Sequence, residues 1–411
     1  MTRTATAHPQ QWLLRTQGVT APEGFRAAGI AAGIKASGKP DLALVFNEGP
    51  DYGAAGVFTR NQVKAAPVLW SRQVLNNQRL KAVILNSGGA NACTGPGGFQ
   101  DAHATAEAVA AALSQWGTET GAIEVAVCST GLIGDRLPLA KVLAGVTEIV
   151  HEMAGGLVGG DDAARAIMTT DTVPKQVALH HEVSPDANWI VGGMAKGAGM
   201  MAPSLATMLV VLTTDAVADA GMLESALRRA AARTFDRLDV DGATSTNDTV
   251  LLLSSGASGI RPSQEDLDIA VGAVCDDLCA QMQADAEGVT KRVTIVVAGA
   301  RSEDDALAAA RAIGRDSLVK TAMFGSDPNW GRVLAAVGMS PFPLDPNRIS
   351  VSFNGSPVCV DGAGAPGARD VDLSGPDVEV LVDLGLGESS AFIRTTDLSH
   401  AYIEENSAYS S

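Results

Sequence analysis

The run Lys196-Gly197-Ala198-Gly199-Met200-Met201-Ala202-Pro203-Ser204-Leu205-Ala206-Thr207-Met208-Leu209-Val210-Val211-Leu212-Thr213-Thr214-Asp215 decides how the rest of this chain is read. A glycine-rich loop leads into a Pro-Ser turn, and Thr207 then opens the apolar run Met208 to Leu212. Glycine lets backbone come close to a ligand, and Pro203 fixes the direction of approach. A hydroxyl between such a loop and a buried strand is dry, fixed and reachable, which suits a nucleophile. Thr207 also divides the chain into two near-equal parts, residues 1–206 and 207–411. Were the bond before it cut, the new α-amino group, titrating at about pH 8, would sit beside its own hydroxyl and could act as its base. The other reading of the spacing is that Thr207 merely begins a strand, a common place for a β-branched residue.

The 411 residues, 46% apolar with 44 glycines, allow a substantial core and many tight turns. A net charge of −16 argues against nucleic acid or an anionic membrane as the main partner, because both require a basic face. The five cysteines (Cys93, Cys128, Cys275, Cys279, Cys359) form no CxxC pair, which fits a reducing cytoplasm. With only six scattered histidines, no structural zinc site is expected. The polar first residues contain no secretory core, and no apolar run reaches membrane-spanning length.

Short β-rich runs alternate with alanine-rich helical ones, which indicates an α/β (α+β) fold of packed layers without a long linker. Strands are expected at Val83–Leu85, Glu124–Val127, Val250–Leu253 and Val293–Val297. Helices are expected at Asp101–Trp116, Met222–Leu238 and Asp304–Lys320. The best supported helix runs from Asp266 to about Ala286, where Leu267, Val271, Val274, Leu278 and Met282 form one apolar stripe. Ser263 with Asp266 makes its capping pair and Gly288 its stop. Gly362 to Pro376 reads as an exposed loop.

Acyl transfer through a hydroxyl needs oxyanion donors and groups that hold the substrate. Cys128-Ser129-Thr130-Gly131-Leu132-Ile133-Gly134 follows the apolar strand Val125-Ala126-Val127, so Gly131 can aim its N–H inward and Thr130 can add a hydroxyl. An ordinary strand-to-helix turn is the alternative. Lys196 could hold a substrate carboxylate or be a solvated lysine. The hydroxyls of Met168-Thr169-Thr170-Asp171-Thr172 are further carboxylate donors. Glu287 and Asp285 close the 266–286 helix, where acids are disfavoured unless a cation pairs with them or the end is hydrated. The final residues, Asn406 to Ser411, read on their own as a frayed polar tail.

In this order the blocks resemble the ornithine acetyltransferase family, also called glutamate N-acetyltransferase. They include Asn86–Ala92, Cys128–Gly134, Lys196–Asp215, Asp241–Thr249, Glu287-Gly288-Val289-Thr290-Lys291, Gly325–Arg332 and the C-terminal Asn406–Ser411. The resemblance implies self-cleavage at Ala206–Thr207. It implies a layered sandwich, sheets inside and helices outside, in which an alpha fragment (1–206) and a beta fragment (207–411) interweave. Thr207 would carry the acetyl group from N2-acetyl-L-ornithine to L-glutamate, with Thr130 and Gly131 as the oxyanion hole. Thr169 (Thr170 is its rival), Lys196, Glu287, Asn406 and Ser411 would contact substrate. Two copies of each fragment would assemble. No metal or nucleotide is implied, and acetyl-CoA is left open as a second donor. The rival activity is hydrolysis by an aminopeptidase with the same kind of nucleophile. A phosphate-binding loop at Lys196–Gly199 is disfavoured, since both the P-loop ending and GxGxxG are missing.

Overall fold

The structure, a computed structural model, describes residues 11–185, 187–201 and 208–408. The chain forms two compact units, each drawn from both sides of residue 207. The first comprises Met1–Gly197, Thr207–Phe235 and Thr244–Met282; the second comprises Ala198–Ala206, Asp236–Ala243 and Gln283–Ser411. Both mix strands and helices in layers, as the alternating sequence pattern predicts.

The first unit holds two sheets among the described residues. One is six-stranded, in the order Gln11–Leu14, Lys175–Ser184, Ala187–Lys196, Leu209–Thr214, Thr249–Ser254, Ala54–Phe58. The other is four-stranded: Phe25–Ile30, Leu42–Asn47, Ala82–Gly89, Val125–Leu132. Alternation along a strand sends successive side chains to opposite faces. Leu209, Val211, Leu251 and Leu253 therefore share a core with the four-stranded sheet and with the helices Gly95–Trp116 and Leu139–Glu152. On the opposite face, a side chain at Gly193 would meet Leu212 together with Val274 and Leu278 of the helix Gln264–Ala284. Sheets lie inside and helices outside, as the family resemblance implies.

The second unit is built on one six-stranded sheet, in the order Ala363–Gly364, Ser356–Val360, Ser350–Phe353, Asp377–Asp383, Arg292–Ala300, Ser389–Thr396. Val378, Val380 and Val382 point into a core with the helices Glu303–Arg315, Ser317–Phe324 and Trp330–Val337, while Asp377, Glu379 and Asp383 are exposed. One buried and one wet face is the usual state of a sheet whose helices lie on one side.

Several boundaries differ from the sequence expectation. The helix expected at Asp304–Lys320 is two, because Asp316 is extended (φ −72°, ψ 118°) and its side chain caps the second by accepting the Val319 N–H. The helix expected to reach Leu238 ends at Arg233 and is followed by a 3-10 turn, Phe235–Arg237. The helix expected from Asp101 begins at Gly95, since Pro96 suits a first turn. Gly362 to Pro376 is not wholly exposed: Ala368 and Leu373 are buried. Ser263 Oγ does accept the Asp266 N–H at 3.0 Å. No helix among the described residues is long and apolar enough to cross a membrane.

Candidate active site

In the first unit, the segment expected to supply the oxyanion donors, Cys128–Gly134, is strand through Leu132 rather than turn. Val125–Leu132 continues through Thr130 and Gly131, parallel to Ala82–Gly89, whose register shifts at Gly88 and Gly89. The expectation that this segment follows the strand is corrected: regular pairing with Asn86, Ser87 and Gly88 carries the strand through Ser129, Thr130 and Gly131 before the register shifts. At Gly131, φ is +133°, and a Cβ would lie 2.5 Å from the Gly89 nitrogen, so only glycine fits. Side-chain amides support the segment. Ser129 Oγ donates to Asn86 Oδ1 (2.6 Å), and Asn247 Nδ2 donates to the carbonyls of Ser129 (2.8 Å) and Ala90 (2.6 Å). The blocks around Asn86 and Asn247, singled out in the sequence without a role, brace the Thr130 strand.

Thr130 is 1% exposed. Its Oγ1 accepts a hydrogen bond from Lys196 Nζ at 3.4 Å. Lys196 ends the strand Ala187–Lys196 and is buried, so the solvated-lysine reading is excluded. Its Nζ lies 3.8 Å from Asp171 Oδ2. Asp171 Oδ1 also accepts Lys175 Nζ (2.6 Å) and the Gly197 N–H (2.8 Å), while Oδ2 accepts the Thr169 N–H (3.0 Å). Burial alone would push the Asp171 carboxyl up, but Lys196 and Lys175 outweigh it and hold it well below the usual carboxylate range. Lys35 Nζ donates to the Met168 carbonyl at 2.7 Å, and burial lowers its pKa. Thr169 and Thr170 are both half-buried beside this cluster.

Asp248 is fully buried. Oδ1 accepts the Met208 N–H at 3.1 Å, and Oδ2 has no hydrogen-bond partner among the described residues. Burial pushes its pKa well above the ordinary carboxylate value, against the lowering effect of that N–H. Met208 adjoins Thr207 in the sequence. Ala206, Thr207 and Ser411, assigned to cleavage, catalysis and substrate contact, lie outside the described residues.

In the second unit, Glu287 lies past the end of the helix Gln264–Ala284 rather than in its last turn. Its N–H donates to the Ala198 carbonyl (2.9 Å), and its carboxylate accepts Asn406 Nδ2 (2.9 Å). Asn406 belongs to the helix His400–Ala408, so the frayed-tail reading is wrong for that residue. A Cβ on Gly199 would fall 2.2 Å from the Glu287 carboxylate. Nearby acids reinforce one another. Burial, with Glu287 and Asp239 adding, raises Asp241; burial, with Asp241 and Glu287 adding, pushes Tyr402 up to about 12. An excess of carboxylate here suits a cationic ligand group.

The structure thus brings Thr130, Gly131 and Lys196 together with the Thr169 segment in one unit, and Glu287 with Asn406 in the other. The sequence reading missed Asp171, Lys175 and Asp248 as site residues. A carboxylate and a lysine four apart at the entrance to an apolar strand was the available signal for the first two. No cluster of three or more His, Cys, Asp or Glu that could hold a metal occurs among the described residues.

Residues 26–411 match the ArgJ family. The chain is 79% identical over 399 residues to the arginine biosynthesis bifunctional protein ArgJ of Mycobacterium tuberculosis, covering 97% of this chain and 98% of that one. It is 55% identical over 392 residues to the protein of the same name from Thermobifida fusca, covering 95% and 99%. A solved structure of ornithine acetyltransferase complexed with ornithine, also from Mycobacterium tuberculosis, shares 81% identity at a TM-score of 0.46, covering 47% of this chain and 99% of that chain.

Proposed function

This chain belongs to the ArgJ family, and on that premise we propose that it is an acetyltransferase of arginine biosynthesis that moves the acetyl group of N2-acetyl-L-ornithine to L-glutamate. The chain cleaves itself between Ala206 and Thr207. The freed α-amine takes the proton of the Thr207 hydroxyl as that oxygen attacks the acetyl carbonyl. Thr130 Oγ1–H and the Gly131 N–H hold the oxyanion. The tetrahedral intermediate collapses with return of the proton to the leaving α-nitrogen, giving L-ornithine and acetyl-Thr207. L-glutamate then attacks the ester in the same way, giving N-acetyl-L-glutamate and restoring the hydroxyl.

Lys196 and Thr169 receive the substrate carboxylate; Glu287, Asn406 and Ser411 receive the ornithine end. The cycle draws on no metal or nucleotide, and acetyl-CoA is included as a second donor. Two copies of each fragment make up the working assembly.

The observation that best supports this reading is the orientation of Thr130. A hydroxyl whose oxygen accepts from a buried ammonium is turned to donate its hydrogen elsewhere, as an oxyanion hole requires. The test is incubation with isotopically labelled acetyl-ornithine, with and without glutamate. Label appearing in N-acetylglutamate, with parallel-line ping-pong kinetics, is the expected result. Release of labelled acetate at an equal rate without glutamate would instead make the enzyme a hydrolase. The same assay with acetyl-CoA tests the second donor.

A further inference from the structure

One carboxylate in the first unit ties together groups from two separate stretches of chain. Asp171 accepts Lys175 Nζ, the Gly197 N–H and the Thr169 N–H within 3.0 Å, and faces Lys196 Nζ at 3.8 Å. The side chains of Asp171 and Lys175 have no solvent exposure, and that of Lys196 has 2%. A buried ion in such a place persists only when its partners satisfy it, and removing one partner exposes the others to the full penalty of burial. The division of labour is visible in the distances. Lys175 makes the short contact with Asp171, whereas Lys196 stays longer and donates to Thr130 Oγ1. Gly197, held by Asp171, begins the glycine-rich loop that leads to residue 207.

We propose that Asp171 is a positioning residue for acetyl transfer: it holds the Lys196 ammonium against Thr130 and fixes the Gly197 amide where the glycine-rich loop begins. This inference rests on the acetyltransferase reading above. Among the described residues, the titratable groups that act on Lys196 or share its partner Asp171 include Asp171, Lys35, Asp248 and Lys175. Without Asp171, Lys196 loses an anionic partner while the cations Lys35 and Lys175 remain, so its ammonium gives up its proton at lower pH.

The test uses full-length protein and records kcat and KM for acetyl-ornithine across pH, with intact mass and thermal melting as controls. In Asp171→Asn, kcat/KM falls roughly 30-fold or more, the cost of removing one partner from a buried charge pair. Its alkaline limb moves down by about one pH unit or more. Asp171→Glu, which keeps the carboxylate, returns the limb toward the wild-type position. A merely structural role would lower the melting point without moving the limb. If D171N does not fold, Lys175→Met supplies the opposite sign: loss of a neighbouring cation moves the limb to higher pH. A limb unmoved in D171N, or lowered or unmoved in K175M, overturns the proposal. Failure of the wild-type protein to transfer acetyl groups at all would instead remove the underlying function, which is a separate readout.

Discussion

Lys196 Nζ donates to Thr130 Oγ1 across 3.4 Å, joining the last residue of a strand in the six-stranded sheet to a strand of the four-stranded one. Two residues 66 positions apart are thereby set as a cation and a hydroxyl donor on one spot. In the proposed reaction this arrangement separates two tasks, the ammonium attracting negative charge and orienting the hydroxyl proposed to stabilise it.

Under the proposed mechanism, Thr130→Ala removes one oxyanion donor. Turnover falls on the order of 100- to 1,000-fold while KM for acetyl-ornithine stays within about threefold, because the interaction is made in the transition state. Steady-state kinetics check this. An unchanged kcat removes Thr130 from the oxyanion role.

Gly199→Ala places a methyl group where the Glu287 carboxylate now sits. The flexible end of Glu287 can swing away, so the fold is retained, but the carboxylate is displaced from Asn406 and from the ornithine end it is proposed to receive. KM for acetyl-ornithine rises about 10-fold or more, the scale expected when a charge pair with substrate is lost, with a melting temperature near that of wild type. An unaltered KM would dissociate Glu287 from substrate binding.

Asp215 links pH to stability. Both oxygens accept backbone N–H groups, from Ile190 and Glu23, yet burial dominates and pushes the carboxyl up to about 6. A carboxyl with a raised native pKa binds its proton more tightly when folded. The native state therefore holds more protons than the unfolded chain between about pH 4 and 6, and stability falls as pH rises through that window. The melting-temperature advantage of wild type over Asp215→Asn shrinks from pH 4 to 6 and is then flat. An advantage that grows with pH would contradict the assignment.

Much of this was legible in the sequence because the signals were local. The apolar stripe of Leu267, Val271, Val274, Leu278 and Met282 is helical by its spacing, and all five are buried. The Thr130 segment is found from its glycine and hydroxyl, but its strand conformation is not, since that depends on pairing with Asn86, Ser87 and Gly88 of a strand distant in sequence. The break at Asp316 was hidden for a related reason: an aspartate inside an alanine-rich run can sit on a helix surface or cap the next helix. Asp171 and Asp248 escaped notice because their importance comes from burial and from partners distant in sequence. Asp171 meets Lys196 and Gly197, and Asp248 meets Met208.

Intact-mass analysis of purified wild-type protein, with and without acetyl-ornithine, bears most directly on the proposed acyl carrier at residue 207. The account predicts two fragments, residues 1–206 and 207–411, with one acetyl group added only to the second when donor is present. Thr207→Ala should remain one uncut, inactive chain. A wild-type preparation that stays a single intact polypeptide, yet transfers acetyl groups at the normal rate, would contradict it.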